Sequence, residues 1–289
     1  MPSEPPLSVV ICCRNSARTL AQTLDAVARQ AYDGWWEVVV ADNGSTDGTA
    51  AVALAYASRL PNLRVVPVPV PGFQARALNT GIREAKTDVL VLLDSDDEVG
   101  PDYLRHMGAA LADSPFVGAA LDVHRLNAPE LVGRREELQA DRIDSFCGVG
   151  PAVVGAAMGV RREALESIGG FDESLPTQHD LDISWRLAAV GVRATFVPEA
   201  TLHYRYRTSA GATFRQELGY GEGEVILFRK FRDAGMPRRG VLQVLSSYTR
   251  ILAAVPGAAR PGGRARLATR LGIDLGRLRG SVRLRTLYL

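Results

Sequence analysis

The order of patterns along the chain predicts an α/β protein: a Rossmann-like, open mixed sheet flanked by helices, with a helical C-terminal extension. Three observations carry this prediction. Four short apolar runs in the first hundred residues lack the two-residue alternation of half-exposed strands, as strands buried on both faces of a parallel sheet do. Helical patterns separate these runs at the spacing of right-handed βαβ units. Beyond Arg238, apolar residues are dispersed among arginines in a helical rather than a strand texture.

The runs at 7–12, 37–41, 63–68 and 89–93 read as the four strands. A helix over 17–30 follows the first, with Leu20, Leu24 and Val27 on one face and Asn15 or Ser16 as its N-cap. A turn, Asn43-Gly44-Ser45-Thr46-Asp47, leads to a helix over 48–60. The next helix, over 74–85, sets Leu78 and Ile82 four apart. From there to Arg207 the texture is α+β: a helix at 103–112, a strand at 116–126, a charged loop at 127–141 and an extended segment at 148–160. A short helix at 163–168, a helix from 178 to 190 and a strand at 192–197 complete it. Apolar helical patterns then cover 219–232, 241–255 and 264–289. These patterns divide the chain into 1–210, with halves at 1–100 and 101–210, and a basic helical extension at 211–289.

Composition excludes several classes. With 289 residues, 46% hydrophobic and 23% charged, the chain can bury a substantial core and is neither disordered, collagen-like nor disulfide-dense. Cys12, Cys13 and Cys147 form no disulfide framework and no zinc-ligand spacing, which suits a reducing compartment. The first six residues do not read as a secretory leader. No apolar run approaches the roughly 20 residues of a membrane span; the nearest, 241–259, is broken by polar residues and Pro256. The expectation is a cytoplasmic protein. Its formal charge of +2 conceals a division: from Arg238 onward eleven arginines face one acid, Asp274, a net +10 that leaves −8 for residues 1–237.

In an open α/β sheet, ligands gather at the carboxyl ends of the strands. Those ends are Arg14-Asn15, Asp42-Asn43-Gly44, Pro71-Gly72-Phe73 and Asp94-Ser95-Asp96-Asp97. The last offers hard carboxylate oxygens for Mg²⁺ or Mn²⁺, although the tetrapeptide alone is equally a solvated acidic turn. Asp42 can accept from a nucleobase or ribose, or simply close an Asx-turn. Arg76, in the first turn of a helix, suits a diphosphate, or is an ordinary surface arginine. In His179-Asp180-Leu181-Asp182-Ile183-Ser184-Trp185-Arg186, two acids open a helix, where its dipole stabilises anions. Asp180 is suited to take a proton from an attacking hydroxyl, or to cap the helix. Trp185 reads as a core or wall residue. His203 is a metal-ligand candidate only where the fold brings it to Asp96.

Together these pieces resemble the GT-A-fold, family 2 inverting glycosyltransferases. The matching stretches are Val9-Val10-Ile11 with Asn15, Glu37-Val-Val-Val-Ala-Asp42-Asn-Gly-Ser-Thr-Asp47, Ala75-Arg76-Ala77-Leu78-Asn79, Leu92-Leu93-Asp94-Ser95-Asp96-Asp97, Gly169-Gly170-Phe171-Asp172-Glu173 and Asp180-Leu-Asp-Ile-Ser-Trp-Arg186. They occur in the family's order and cover residues 7 to about 207. The resemblance implies a nucleoside-diphosphate-sugar donor, UDP-sugar favoured, and a hydroxyl acceptor, with Mn²⁺ or Mg²⁺ as cofactor. Asn15, Asp42, Arg76 and Asp94 would bind the donor and Asp96 the metal, with His203 completing its shell. Asp180 would be the catalytic base, with His179, Asp182 and Trp185 on the acceptor side. Anomeric configuration would invert in a single displacement that needs no enzyme nucleophile. Two departures stand out. His179 occupies the place where the family usually has Glu, and the Gln-x-x-Arg-Trp signature of processive synthases is absent, so transfer of a single sugar is expected.

The basic tail suits an anionic membrane surface at the inner face of a membrane, which would make the enzyme peripheral, with a lipid-linked or membrane-proximal acceptor. It is equally compatible with helices packed on the catalytic body or on a second copy of the chain. No nucleic-acid motif is present. Two rival functions share the sheet: a nucleotidyltransferase making an activated sugar, and a non-catalytic binding module. The first normally needs a glycine-rich loop and a Lys near the first strand, where this chain has Cys12-Cys13-Arg14-Asn15.

Overall fold

The computed structural model describes residues 4–132, 137–259 and 263–288. β1 (Leu7–Cys13), β2 (Trp36–Asp42), β3 (Arg64–Pro67) and β4 (Val89–Asp94) form on the four apolar runs. Every residue of β1 is buried because helices cover both of its faces. Alternate side chains go to opposite cores, Val9 and Ile11 to one, Val10 and Cys12 to the other. α1 (Leu20–Ala28) packs Leu20, Leu24 and Val27 into the first core. α2 (Thr49–Leu54) is shorter than expected, its remainder running on as turns. α3 (Gln74–Glu84) packs Leu78 and Ile82 into the second core.

The second half adds β5 (Glu98–Val99), α4 (Tyr103–Asp113), β6 (Phe116–Asp122) and the hairpin of β7 (Ser145–Phe146) and β8 (Gly150–Pro151). After these come β9 (Met158–Arg161), α5 (Arg162–Ser167), α6 (His179–Ala189) and β10 (Thr195–His203). The main sheet runs β3-β2-β1-β4-β9-β6-β10-β5. β1 to β4 pair in parallel, whereas β9 runs antiparallel to both β4 and β6, so the sheet is mixed as the sequence predicts.

Three stretches depart from expectation. β6 stops at Asp122, whose Oδ1 accepts from His124 N (2.9 Å) and turns the chain. The segment 148–160 divides into β8, a 3₁₀ turn at Gly155–Ala157 and β9. The final strand lies beyond its expected place because Pro198 does not end it. Instead the register against β6 shifts between Val197 and Thr201, a bulge that accommodates the missing N–H. Of the charged loop, residues 133–136 lie outside the described residues.

The extension is α7 (Ala210–Phe231), α8 (Val241–Ala254) and α9 (Gly263–Arg283). α7 begins well before the apolar pattern because Ser209 Oγ caps it, accepting from Ala212 N (3.2 Å). α9 lies along α7 at close range, and a Cβ at Gly276 would run into the Leu218 carbonyl oxygen. Arg277 closes this contact with two bonds to Glu224 (2.7 and 2.8 Å) and one to Asp274 (2.9 Å), while Arg279 pairs with Glu222 (2.7 Å). α9 therefore packs on α7, with Arg277, Arg279 and Arg283 paired to its acids. No described helix is long and apolar enough to cross a membrane.

Candidate active site

β1 and β4 end side by side at Cys13 and Asp94, and the chain leaving β10 crosses the same edge. These ends enclose a cleft of about 780 Å³. Arg14, Arg18, Arg205 and Arg207 line it together with Asn15, Asp94 and Asp96, so cations and carboxylates face one space.

The carboxylates of Asp94, Asp96 and Asp97 each offer an oxygen within 4.8 Å of the others. Burial, then the charge of Asp96, pushes the Asp94 carboxyl up to about 7, although Gln74 Nε2 donates to its Oδ1 (2.6 Å). Burial and the charge of Asp96 likewise raise Asp97. Its Oδ1 accepts from Arg205 N (2.7 Å), and its Oδ2 has no partner among the described residues. Arg205 Nε donates to the Asp96 carbonyl (2.8 Å) and Arg207 pairs with Asp96 Oδ2 (2.8 Å). The segment following β10 is thereby fastened over the acidic turn. An oxygen-only cluster with an unsatisfied buried oxygen fits a hard divalent cation.

The other expected residues fall in different places. Asn15 lines the cleft, but it does not cap α1. Its backbone is left-handed (φ 53°) and its Oδ1 accepts from Thr46 N (2.9 Å), joining the β1 end to the β2 turn. Asp42 closes the turn after β2, its Oδ1 accepting from Ser45 N (2.9 Å); the cleft wall holds its neighbour Asn43, which exchanges two hydrogen bonds with Gly72. Arg76 turns to Glu173 (2.8 Å), which also accepts from Asn79 (3.0 Å), so it steadies the 169–173 turn. Asp180, half-buried in the first turn of α6, accepts from Gly155 N (3.2 Å) and Leu181 N (3.0 Å). Its charge is among those that raise Asp94, so the two share one electrostatic neighbourhood.

The acceptor-side expectations divide. His179 points inward, edge-on to Phe171 at 5.7 Å, and burial lowers its pKa. Asp182 is fully buried, held by Arg186 (2.7 Å) and Lys230 (2.6 Å), and so acts as a structural anchor between α6 and α7. Trp185 donates to the Gly150 carbonyl (3.2 Å) and packs edge-on against Phe231 at 5.2 Å, a wall between α6, the hairpin and α7. His203 is absent from the carboxylate group, because strand pairing brings it to Asp122, whose Oδ2 lies 2.6 Å from its Nδ1. Sequence reasoning missed Gln74, Asn43, Arg205 and Arg207. For the two arginines the signal was Arg-x-Arg directly beyond a strand end.

Known proteins align with this architecture. The model described as "Glycosyl transferase family 2" matches residues 8–169, and that of "Glycosyl transferase family group 2" matches 89–260. Poly-beta-1,6-N-acetyl-D-glucosamine synthase of Staphylococcus epidermidis is 24% identical over 234 residues, covering 78% of this chain and 56% of the relative. The Staphylococcus aureus protein of that name is 24% identical over 249 residues, 83% and 60% of the two chains. The chain thus spans a little over half the length of these relatives. Among solved structures, the mannosyltransferase PcManGT of Pyrobaculum calidifontis, in complex with GDP-Man and Mn²⁺, superposes with a TM-score of 0.67 at 19% identity, covering 96% of this chain and 88% of that one. S. aureus TarS 1–349 in complex with UDP-GlcNAc gives 0.55 at 16% identity, covering 98% and 93%. At these identities the structures share the fold.

Proposed function

Because the chain belongs to glycosyl transferase family 2, we propose that it moves one sugar from a nucleoside-diphosphate sugar to an acceptor hydroxyl, inverting the anomeric centre. One observation carries the reading. At the shared strand ends, four arginines and the carboxylates of Asp94 and Asp96 line a single cleft, Asp97 clusters with those carboxylates, and the charge of Asp180 reaches into it.

Arg14, Arg18, Arg205 and Arg207 bring the positive charge a diphosphate needs. Asn15 and Asp94 contact the donor, with Asp42 and Arg76 behind them as supports of the base-side and 169–173 turns. Asp94, Asp96 and Asp97 hold Mn²⁺ or Mg²⁺, as their oxygen-only donor set favours. When bound, that ion supplies positive charge for the departing nucleoside diphosphate. Asp180 accepts the proton of the acceptor hydroxyl, oriented by the Gly155 and Leu181 N–H groups. A UDP-sugar is the favoured donor, since one of the similar folds is held with UDP-GlcNAc, although another is held with GDP-Man. Transfer is non-processive, on the missing Gln-x-x-Arg-Trp signature, and the enzyme works from the inner face of a membrane with its basic extension against the lipid.

Labelled sugar nucleotides with Mn²⁺ test the reading. Asp180→Asn should lower transfer by at least about 100-fold, as expected on losing a general base, and keep donor affinity. Full transfer by Asp180→Asn would exclude Asp180 as base, and absence of any sugar-nucleotide binding would return the chain to a non-catalytic module.

A further inference from the structure

The tail's positive charge is not evenly neutralised. Arg277, Arg279 and Arg283 face acids of α7, and Arg239 pairs with Asp274 (3.1 Å). Among the described residues, Arg238, Arg250 and Arg270 make no ion pair. All three line one cavity of about 660 Å³ between α8, α9 and the β7–β8 hairpin. The two acids in its wall, Glu224 and Asp274, are already engaged by Arg277 and Arg239. Arg238 is held in place over the Phe228 ring at 5.9 Å, Arg270 donates to the Arg250 carbonyl (2.7 Å) and Arg250 Nε to the Ser246 carbonyl (3.1 Å), which fixes all three side chains at the cavity wall.

A second cavity, of about 260 Å³, shares Arg238, Arg239 and Tyr288 with the first, and its remaining wall is apolar: Val241, Val244, Leu245, Tyr248 and Leu287. Beside it α8 and its C-cap present an exposed stripe, Leu242, Leu245, Tyr248, Leu252 and Val255, recurring every three or four residues, with Leu242 81% exposed. A large apolar face on a protein surface marks a contact with a partner or a membrane. Here it adjoins a pocket whose surplus charge calls for an anion.

We propose that these joined cavities form a docking site for an anionic phospholipid of the membrane surface. The headgroup phosphate is received by Arg238, Arg250 and Arg270, and an acyl chain lies in the groove of α8, whose stripe enters the interface. The site shares no lining residue with the catalytic cleft. It deepens the membrane reading above and is independent of the transfer chemistry.

Flotation of the full chain on phosphatidylcholine vesicles, with and without phosphatidylglycerol, tests it at low salt. Binding is expected on the anionic vesicles only, and should fall as salt screens it. The triple variant R238Q/R250Q/R270Q breaks no ion pair and should unfold at the wild-type temperature. Its partition should drop roughly 100-fold, from three arginines near an acidic leaflet. Leu242→Ser with Leu245→Ser should weaken binding while leaving the charge intact. A triple variant that floats like wild type overturns the site yet leaves membrane association standing. Wild-type protein that never floats overturns both. Equal binding to neutral vesicles refutes the phosphate pocket, and saturation by inorganic phosphate with no flotation makes it a free-anion site instead. Release of UDP from a UDP-sugar, measured on the same variants, should not change, which keeps a failure of the transferase reading separate.

Discussion

Acidification from about pH 8 to about pH 6 should weaken Mn²⁺ binding about tenfold, because a proton occupies the Asp94 carboxyl that would otherwise ligate. The magnitude follows from the surroundings of that carboxyl. Burial and the neighbouring charge of Asp96 move it from the ordinary value of 3.8 up to about 7. Near pH 8 about nine-tenths of it is ionised, and near pH 6 about one-tenth. Asp97, raised by the same two causes, adds in the same direction. The sign for stability is opposite. A folded pKa raised above the unfolded one contributes stability that is fully present below about pH 4 and is lost as pH rises through about 7. The metal-free protein therefore loses this contribution over the range in which its metal affinity grows. Calorimetric titration of Mn²⁺ into the nucleotide-free protein, at several pH values, measures the effect. Asp94→Asn should weaken binding near pH 8 and flatten the curve. Affinity that is unchanged between about pH 6 and about pH 8 would refute the assignment of Asp94 as a ligand raised by burial.

Arg207 occupies Asp96 Oδ2 at 2.8 Å and competes with any cation there. Arg207→Gln should strengthen Mn²⁺ binding about threefold, the worth of a half-exposed pair, while weakening nucleoside diphosphate binding; parallel titrations check both. Arg277→Met should destabilise the protein by about 3–5 kcal/mol, since Glu224 is then left nearly buried and without its cation while Asp274 keeps only Arg239, and a thermal melt that matches wild type would contradict this. Gly276→Val should cost about 1–3 kcal/mol or more by pushing α9 off the Leu218 carbonyl. Limited proteolysis should then cut after α7 faster than in wild type.

The first half of the fold was legible because its signals are local. A strand buried on both faces must be apolar at every position, and the βαβ spacing follows from chain geometry, so β1 to β4 lie where the runs are. The strand ends then pointed to Asn15, Asp94 and Asp96, all of which line the cleft. The second half was harder to read because its register is set by distant pairing. β10 runs through Pro198 because a bulge against β6 absorbs it, and only this extension carries Arg205 and Arg207 to the acidic turn. Asp182 illustrates the same limit. Its position on α6 suggested an acceptor contact, but its partners are Arg186 and Lys230, the second contributed by a helix whose course the sequence leaves open.

The tail shows why a charge total says little until its partners are known. All its arginines look alike in a sequence running from Arg238 onward. α9 approaches α7 closely enough, at Gly272, Gly276 and Gly280, to bring Arg277 and Arg279 onto Glu224 and Glu222. Those pairs lie at the helix–helix contact, where removing one partner leaves a nearly buried charge, so they hold α9 to α7. Arg238, Arg250 and Arg270 gain no described carboxylate from that packing, and they border α8, whose apolar stripe faces outward. A single composition thus separates into two physical roles. Reversing charge at Arg277 should therefore loosen α9 from α7 without regard to lipid. Neutralising Arg238, Arg250 and Arg270 should leave the fold intact and act only on what docks there.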